Sequence, residues 1–150
     1  MVTVGAPGFG RALDLEAAVS EELFAVNALG PMALVRAAAP MLTDGGFVAV
    51  FSAILADQPT AGMADYSAAK SALSAWLGVL RREERRRFNV IDVRPPHLDT
   101  GMETRALAGQ PPRLPEPLPA ADVVTVVMEA IRNGRHEVVW EPGAKRLTVR

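Results

Sequence analysis

The stretch FSAILADQPTAGMADYSAAKSAL (51–73) decides how this chain is read. Its first residues close a continuous apolar run, FVAVFS (47–52), which has the length and character of a buried strand. A loop with Pro59 and Gly62 follows, and then Ala68, Ala72, Leu73, Trp76, Leu77 and Leu80 recur three and four residues apart. That spacing predicts a helix over about 64–86. Tyr66 and Lys70 lie four apart near its start, so both side chains share one face. An ammonium beside a phenol favours phenolate and lowers the tyrosine pKa from its reference near 10, which suits proton transfer near neutral pH. Taken alone the pair is a weak signal, because a tyrosine beside a helix lysine is usually a packing residue with a snorkelling neighbour. The composition sharpens it: this is the single tyrosine of the chain, and Lys70 is one of only two lysines among 16 basic residues.

Working outward, the same alternation continues in both directions. VTV (2–4) is a short apolar piece followed by the glycine-spaced GAPGFG (5–10). A helical pattern runs from about Leu15 to Leu42, with a kink expected at Gly30-Pro31. Downstream, NVIDV (89–93) reads as a strand stopped by Pro95-Pro96. The Pro-rich segment 95–119 reads as a flexible loop over a site. AADVVTVVMEAIRN (120–133) is an amphipathic helix stopped at Asn133-Gly134, and HEVVW (136–140) is the last expected strand. The expectation is one α/β domain over 1–150, a parallel sheet of about four strands with helices on both faces. In such sheets ligands bind beyond the carboxyl ends of the strands, which directs attention to Gly5, Ser52-Ala53 and Pro95 to Met102.

Bulk properties remove several function classes. A net charge of −1 gives no reason to expect nucleic acid. The cluster RREERRR (81–87) reads as a solvated helix end. With no cysteine and two distant histidines, His97 and His136, no metal site is expected. No apolar run reaches the roughly 20 residues of a membrane span and no signal peptide is evident, so a cytoplasmic address is expected.

In this order the segments resemble the short-chain dehydrogenase/reductase family. Residues 51–73 resemble its active-site segment, in which a strand ends in serines and Tyr-x-x-x-Lys opens the next helix. FAVNALGPMALVRAAAPML (24–42) resembles its long helix, with Asn27 at the position that kinks the helix and holds a water in a proton relay from the lysine. DVRPPHLDTGM (92–102) resembles the segment after its sixth strand, placing Pro95 and Thr100 at nicotinamide-contacting positions and His97 nearby. The resemblance spans about Gly5 to Trp140. It implies a partial Rossmann-like fold and hydride transfer between NAD or NADP and a small-molecule carbonyl or alcohol. Tyr66 would move the proton, and Lys70 would support it and grip the ribose. It also implies a homo-oligomer through helices 15–42 and 64–86.

Three departures qualify that implication. The carbonyl-polarising serine of the family falls on Ala53, with Ser52 one residue earlier on the opposite side of an extended strand and Thr60 as another hydroxyl. The run VGAPGFGRAL (4–13) has the wrong spacing for a phosphate-binding turn and fits the family's fourth-strand loop instead, with Gly5 in a cofactor-facing place and Thr3 where the family has asparagine. The match begins at the fourth strand, so the chain reads as a truncated, catalytic half whose VTV edge and one sheet face lie open. The alternatives are a non-catalytic dimerising or interaction module derived from the family, and a different parallel fold such as a flavodoxin-like one.

Overall fold

The computed structural model describes residues 1–150. Its sheet contains β1 (Gly46–Phe51), β2 (Phe88–Arg94), β3 (Glu137–Glu141) and β4 (Arg146–Val149), in that spatial order. β1–β2 and β2–β3 are parallel, with Gly46 opposite Phe88 and Val93 opposite Val138. β4 was not expected: it returns antiparallel on β3, Val138 opposite Val149, making the sheet mixed and Glu137–Glu141 the penultimate strand. The cue was the Pro142-Gly143 turn ahead of the short alternating run RLTV, too brief to stand out by periodicity.

Period-2 alternation divides the core between the two faces. Val48 and Val50 of β1 and Val90 of β2 pack with Leu73 and Leu77. Those leucines lie on α3 (Ala64–Glu83), which connects β1 to β2. Ala49, Ile91, Val93 and Val138 point the other way and pack with Val123 and Val127. These belong to α4 (Ala120–Arg132), which connects β2 to β3. Both connections step across the sheet in the same direction but pass over opposite faces. The two crossovers therefore have opposite hands, and one of them breaks the strong right-handed preference of such units.

The first helical stretch, Ala17–Met41, is continuous: α1 (Ala17–Phe24), a π turn (Ala25–Leu29), α2 (Gly30–Ala38) and a 3₁₀ turn (Ala39–Met41). The expected kink takes the form of that π turn, one turn ahead of Gly30-Pro31. Pro31 has no N–H for the carbonyl of Asn27 and crowds it, so the hydrogen-bond ladder slips. Gly30 donates to Ala25, five residues back. By length and composition this stretch could cross a membrane, with mean hydropathy 1.3 over its most apolar window, contrary to the sequence expectation. It is amphipathic rather than uniformly apolar: Leu23, Met32 and Val35 are buried while Glu21, Glu22 and Arg36 are exposed.

At the open edge, Val2 forms a parallel bridge to Val50, donating to Ala49 at 2.8 Å and accepting from Phe51 at 3.0 Å. VTV is thus a single bridge, not a strand. Beside it lies an apolar groove of about 340 Å³ lined by Val2, Val4, Leu34, Leu42, Phe47 and Val48. The segment 95–119 is tied down rather than free. Leu98 and Leu118 form a parallel bridge, Asp99 Oδ1 accepts from Ala120 N at the start of α4, Leu107 donates to Pro7, and Phe9 donates to Ala108. The run of prolines limits helix and strand, but apolar Ala106 and Leu107 still find a surface to bury against.

Candidate active site

Three local features build the site. β1 ends at Phe51, and its ladder continues past the strand as Ser52 donates to Val93 and Ile54 to Pro95, each at 2.9 Å. α3 then starts at Ala64, with Asp65 in its first turn accepting a 2.6 Å hydrogen bond from Ser20. On the buried side of α3, Tyr66 and Lys70 sit one turn apart, 8% and 3% exposed. The Lys70 Nζ donates to the Phe51 carbonyl at 3.1 Å and lies 5.9 Å from the centre of the Tyr66 ring.

Asn27 and Gly5 complete this cluster. Asn27 is fully buried on the π turn and grips Ala6 at both ends, its Nδ2 donating to the Ala6 carbonyl at 2.8 Å and its Oδ1 accepting from Ala6 N at 3.0 Å. Nδ2 also donates to Leu23 at 2.9 Å. The side chain is thereby committed to the backbone, and the Asn27 carbonyl, opposite proline, is the group the helix leaves without an α-helical partner. Gly5 is held between these groups: a Cβ there would come 3.0 Å from Asn27 Oδ1 and 3.1 Å from Lys70 Nζ.

The electrostatics differ from the sequence expectation. Burial pushes the Tyr66 phenol up to about 12 instead of down. Lys70 is lowered to about 8, because burial penalises its charge more than the Asp92 carboxylate supports it. The reason lies overhead. Tyr66 is buried in a cluster with Phe9, Leu23 and Met63, and Leu55, Ala106 and Leu107 pack against that cluster, so little water reaches its ring. Residues 106–109 form a strap docked on the Pro7–Phe9 loop. Gly109 has φ +70° and approaches so closely that a Cβ there would lie 2.1 Å from the Phe9 carbonyl oxygen.

The remaining sequence candidates fall in different places. Ser52 is buried on the α3 side and its hydroxyl donates to Asp92 Oδ1 at 2.5 Å, so its one proton is not free to polarise a substrate carbonyl. Ala53 is buried and offers no donor. Thr60 is exposed and bonds Gln58. Pro95 is buried beside Ile54, whereas Thr100 is exposed in the loop with its amide donating to Leu98. His97 is 2.9 Å from the Pro115 carbonyl and 3.4 Å from Glu103, placing it in the loop's own bracing. No cluster of residues suited to a metal ion is present, and GAPGFG is not a phosphate turn: the amides of Ala6, Phe9 and Gly10 are spent on Asn27, Ala108 and Gly62.

Sequence reasoning missed a buried charge network behind the lysine. Asp92 is 1% exposed and accepts from Ser52 and, at 2.5 Å, from Ser74; Arg94 NH1 reaches it at 3.2 Å. Arg94 also pairs with Glu137 at 2.8 Å, and Arg81 joins Glu137 at 3.1 Å. Arg94 Nε is 3.1 Å from Asp57 but off the axis of its N–H, so that contact is ionic only. Burial raises the Asp92 carboxyl against the opposing pull of both serines and Arg94. For Glu137 burial also resists ionisation, but Arg81 and Arg94 outweigh it and hold the carboxyl below its usual range. The signal was present in NVIDV, where a strand read as buried places a carboxylate on the face of Val90.

Comparison with known proteins gives a consistent result. The family described as short chain dehydrogenase matches residues 1–111. A cyclic-di-GMP-binding biofilm dispersal mediator protein of Escherichia coli (strain K12) is 31% identical over 141 residues, covering 93% of this chain and 55% of that protein. Among solved structures, a short chain dehydrogenase from Burkholderia cenocepacia J2315 in complex with NADP is 26% identical with a TM-score of 0.81, over 95% of this chain and 60% of that one. A short chain dehydrogenase/reductase from Burkholderia phymatum in complex with NAD shares the fold, with a TM-score of 0.77 at 21% identity, over 89% of this chain and 57% of that one. The chain thus spans little more than half the length of these relatives.

Proposed function

The chain belongs to the short-chain dehydrogenase family, and from that membership we propose that it carries the proton-transfer half of a nicotinamide-dependent oxidoreductase site for a small carbonyl or alcohol. The observation that carries the reading is the buried Lys70 ammonium, one helical turn from Tyr66 and confined by Gly5, Asn27 and the Phe51 carbonyl. Gly5 leaves open the space beside Lys70 that a Cβ would fill, which suits the approach of a ribose hydroxyl to the ammonium. Those residues fit the nicotinamide-ribose end of NAD or NADP, with Pro95 and Thr100 on the loop beyond β2. The consumed amides of GAPGFG do not fit its diphosphate. Bound, the cofactor supplies or takes the hydride.

Tyr66 acts as the acid in carbonyl reduction and as the base in the reverse direction. Under the closed strap it stays protonated across the physiological range. Lys70 then stabilises the developing phenolate through its charge, and the Asn27 carbonyl offers a place for a relay water. Ala53 removes a donor to the substrate oxygen, a loss that commonly costs on the order of 10²–10³ in rate.

The second reading is a non-catalytic binding or interaction module. Ala53, the engagement of Ser52 with Asp92, and a relative named for binding cyclic-di-GMP favour it. Either reading accommodates a homo-oligomer through the Ala17–Met41 helices and α3, whose Leu29, Met41 and Val79 are exposed. Titration of the chain with NADH and NADPH, followed by nicotinamide fluorescence, separates the two. Saturable binding supports the oxidoreductase reading. No binding at millimolar cofactor rules out action by this chain alone, and saturable cyclic-di-GMP binding in that case supports the second.

A further inference from the structure

Lys70 does not keep its position and charge by itself. Its only hydrogen-bond acceptor is the Phe51 carbonyl, it is nearly excluded from water, and the Tyr66 ring, Gly5 and Asn27 surround it without offering a carboxylate. The charged group that acts in its favour is Asp92, on β2. Asp92 is held in a defined way: Ser52, the residue following Phe51, donates to one oxygen, and Ser74, one turn beyond Lys70 on α3, donates to the other. Both contacts are 2.5 Å. Arg94 backs the same carboxylate at 3.2 Å, and Glu137, Arg81 and Asp57 sit behind Arg94. The two residues that fix Asp92 therefore bracket the two ends of the Lys70 contact, the end of β1 and the buried face of α3.

We propose that Asp92, clamped between Ser52 and Ser74, is the positioning residue that keeps Lys70 an oriented ammonium beside Tyr66. Ser52 then works through Asp92 on the lysine instead of on the substrate, which gives the hydroxyl next to Ala53 a role of its own. The inference rests on the oxidoreductase reading for the reaction it serves, but its physical content is a property of the free chain.

The chain has two lysines, Lys70 and the exposed Lys145. Lysine labelled with ¹³C at Cε therefore gives two NMR signals, one of them an internal reference. In Asp92→Asn, circular dichroism checks the fold, and the Lys70 titration midpoint moves down by about one pH unit, a tenfold loss of proton affinity, while Lys145 stays in place. A folded Asp92→Asn protein with an unmoved Lys70 midpoint overturns the proposal. Should that variant not fold, Ser74→Ala decides, since it removes one tether from a half-buried site and leaves the charge. The Lys70 Cε signal then narrows toward the mobility of Lys145, and an unchanged line width overturns the clamp. Neither readout involves cofactor. A coupled Lys70 in a chain that binds no nicotinamide would leave the clamp standing and remove the function assigned to it.

Discussion

Replacing Gly109 with alanine tests the account of Tyr66 most directly. The residue has φ +70°, and its Cβ would lie 2.1 Å from the Phe9 carbonyl oxygen and 2.8 Å from its carbon. The left-handed backbone alone costs an alanine about 1–2 kcal/mol, and no small adjustment removes a clash with the Phe9 backbone. The cheaper course is for the strap to undock. That forfeits the Leu107–Pro7 and Phe9–Ala108 hydrogen bonds, about 0.5–1.5 kcal/mol each, and the partial burial of Leu107, about another 1 kcal/mol. A loss of about 2–4 kcal/mol, confined to the strap, leaves both sheet-face cores intact. The cluster around Tyr66 then loses Ala106 and Leu107, and the phenol relaxes from about 12 toward its ordinary 10. The phenolate fraction near pH 8 rises by up to about a hundredfold. Nitration by tetranitromethane, which attacks phenolate, reads this at the only tyrosine in the chain. The expected rate in Gly109→Ala is at least about tenfold above the unmodified chain. Gly101→Ala is the control: φ +64° but nothing within 4 Å of the added Cβ, so strain arises without undocking and nitration stays slow. Equal rates for Gly109→Ala and the parent chain would show that something other than the strap shields Tyr66.

Other perturbations test different layers of the structure. Tyr66→Phe abolishes any nicotinamide-dependent turnover yet leaves urea stability within about 0.5 kcal/mol, because the phenol oxygen has no protein hydrogen bond to lose; retained turnover removes Tyr66 from its assigned role. Leu77→Ala, in the fully buried interface of α3 with β1 and β2, lowers urea stability by about 2–5 kcal/mol, and a loss below 1 kcal/mol would contradict that packing. Arg94→Met leaves the buried Asp92 without its cation, while Glu137 keeps Arg81, and costs about 3–5 kcal/mol, the penalty of breaking a buried pair on one side. Stability also depends on pH in a defined direction. Lys70, lowered to about 8 from 10.5, binds less proton folded than unfolded between those values, so its contribution rises with pH at up to about 1.4 kcal/mol per unit. Tyr66, raised from 10 to about 12, holds its proton longer when folded, and its contribution falls as pH climbs from 10 to 12. Urea midpoints should therefore increase from pH 8 toward 10 and decline above it, and a steady fall from pH 8 would refute the lysine burial.

The amino-acid sequence determined whatever depends on neighbours along the chain. Periods of two and of three-to-four residues set β1, α3, β2 and α4, and a tyrosine four residues from a lysine set their shared helical face. Gly30-Pro31 announced a distorted helix, since a missing N–H acts on a carbonyl only four residues away. Ordered motifs in one chain also sufficed for the family. Tertiary structure decided what depends on distant partners. Burial in the cluster with Phe9, Leu23 and Met63, which Leu55, Ala106 and Leu107 help cover, reversed the direction expected for Tyr66, because desolvation by distant segments outweighs a lysine one turn away. Asp92 became significant only when β1, β2 and α3 brought Ser52 and Ser74 onto it. β4 became visible only through its pairing with β3. Periodicity and spacing are written locally, while burial and the electric field inside a protein are set by whichever segments happen to pack there.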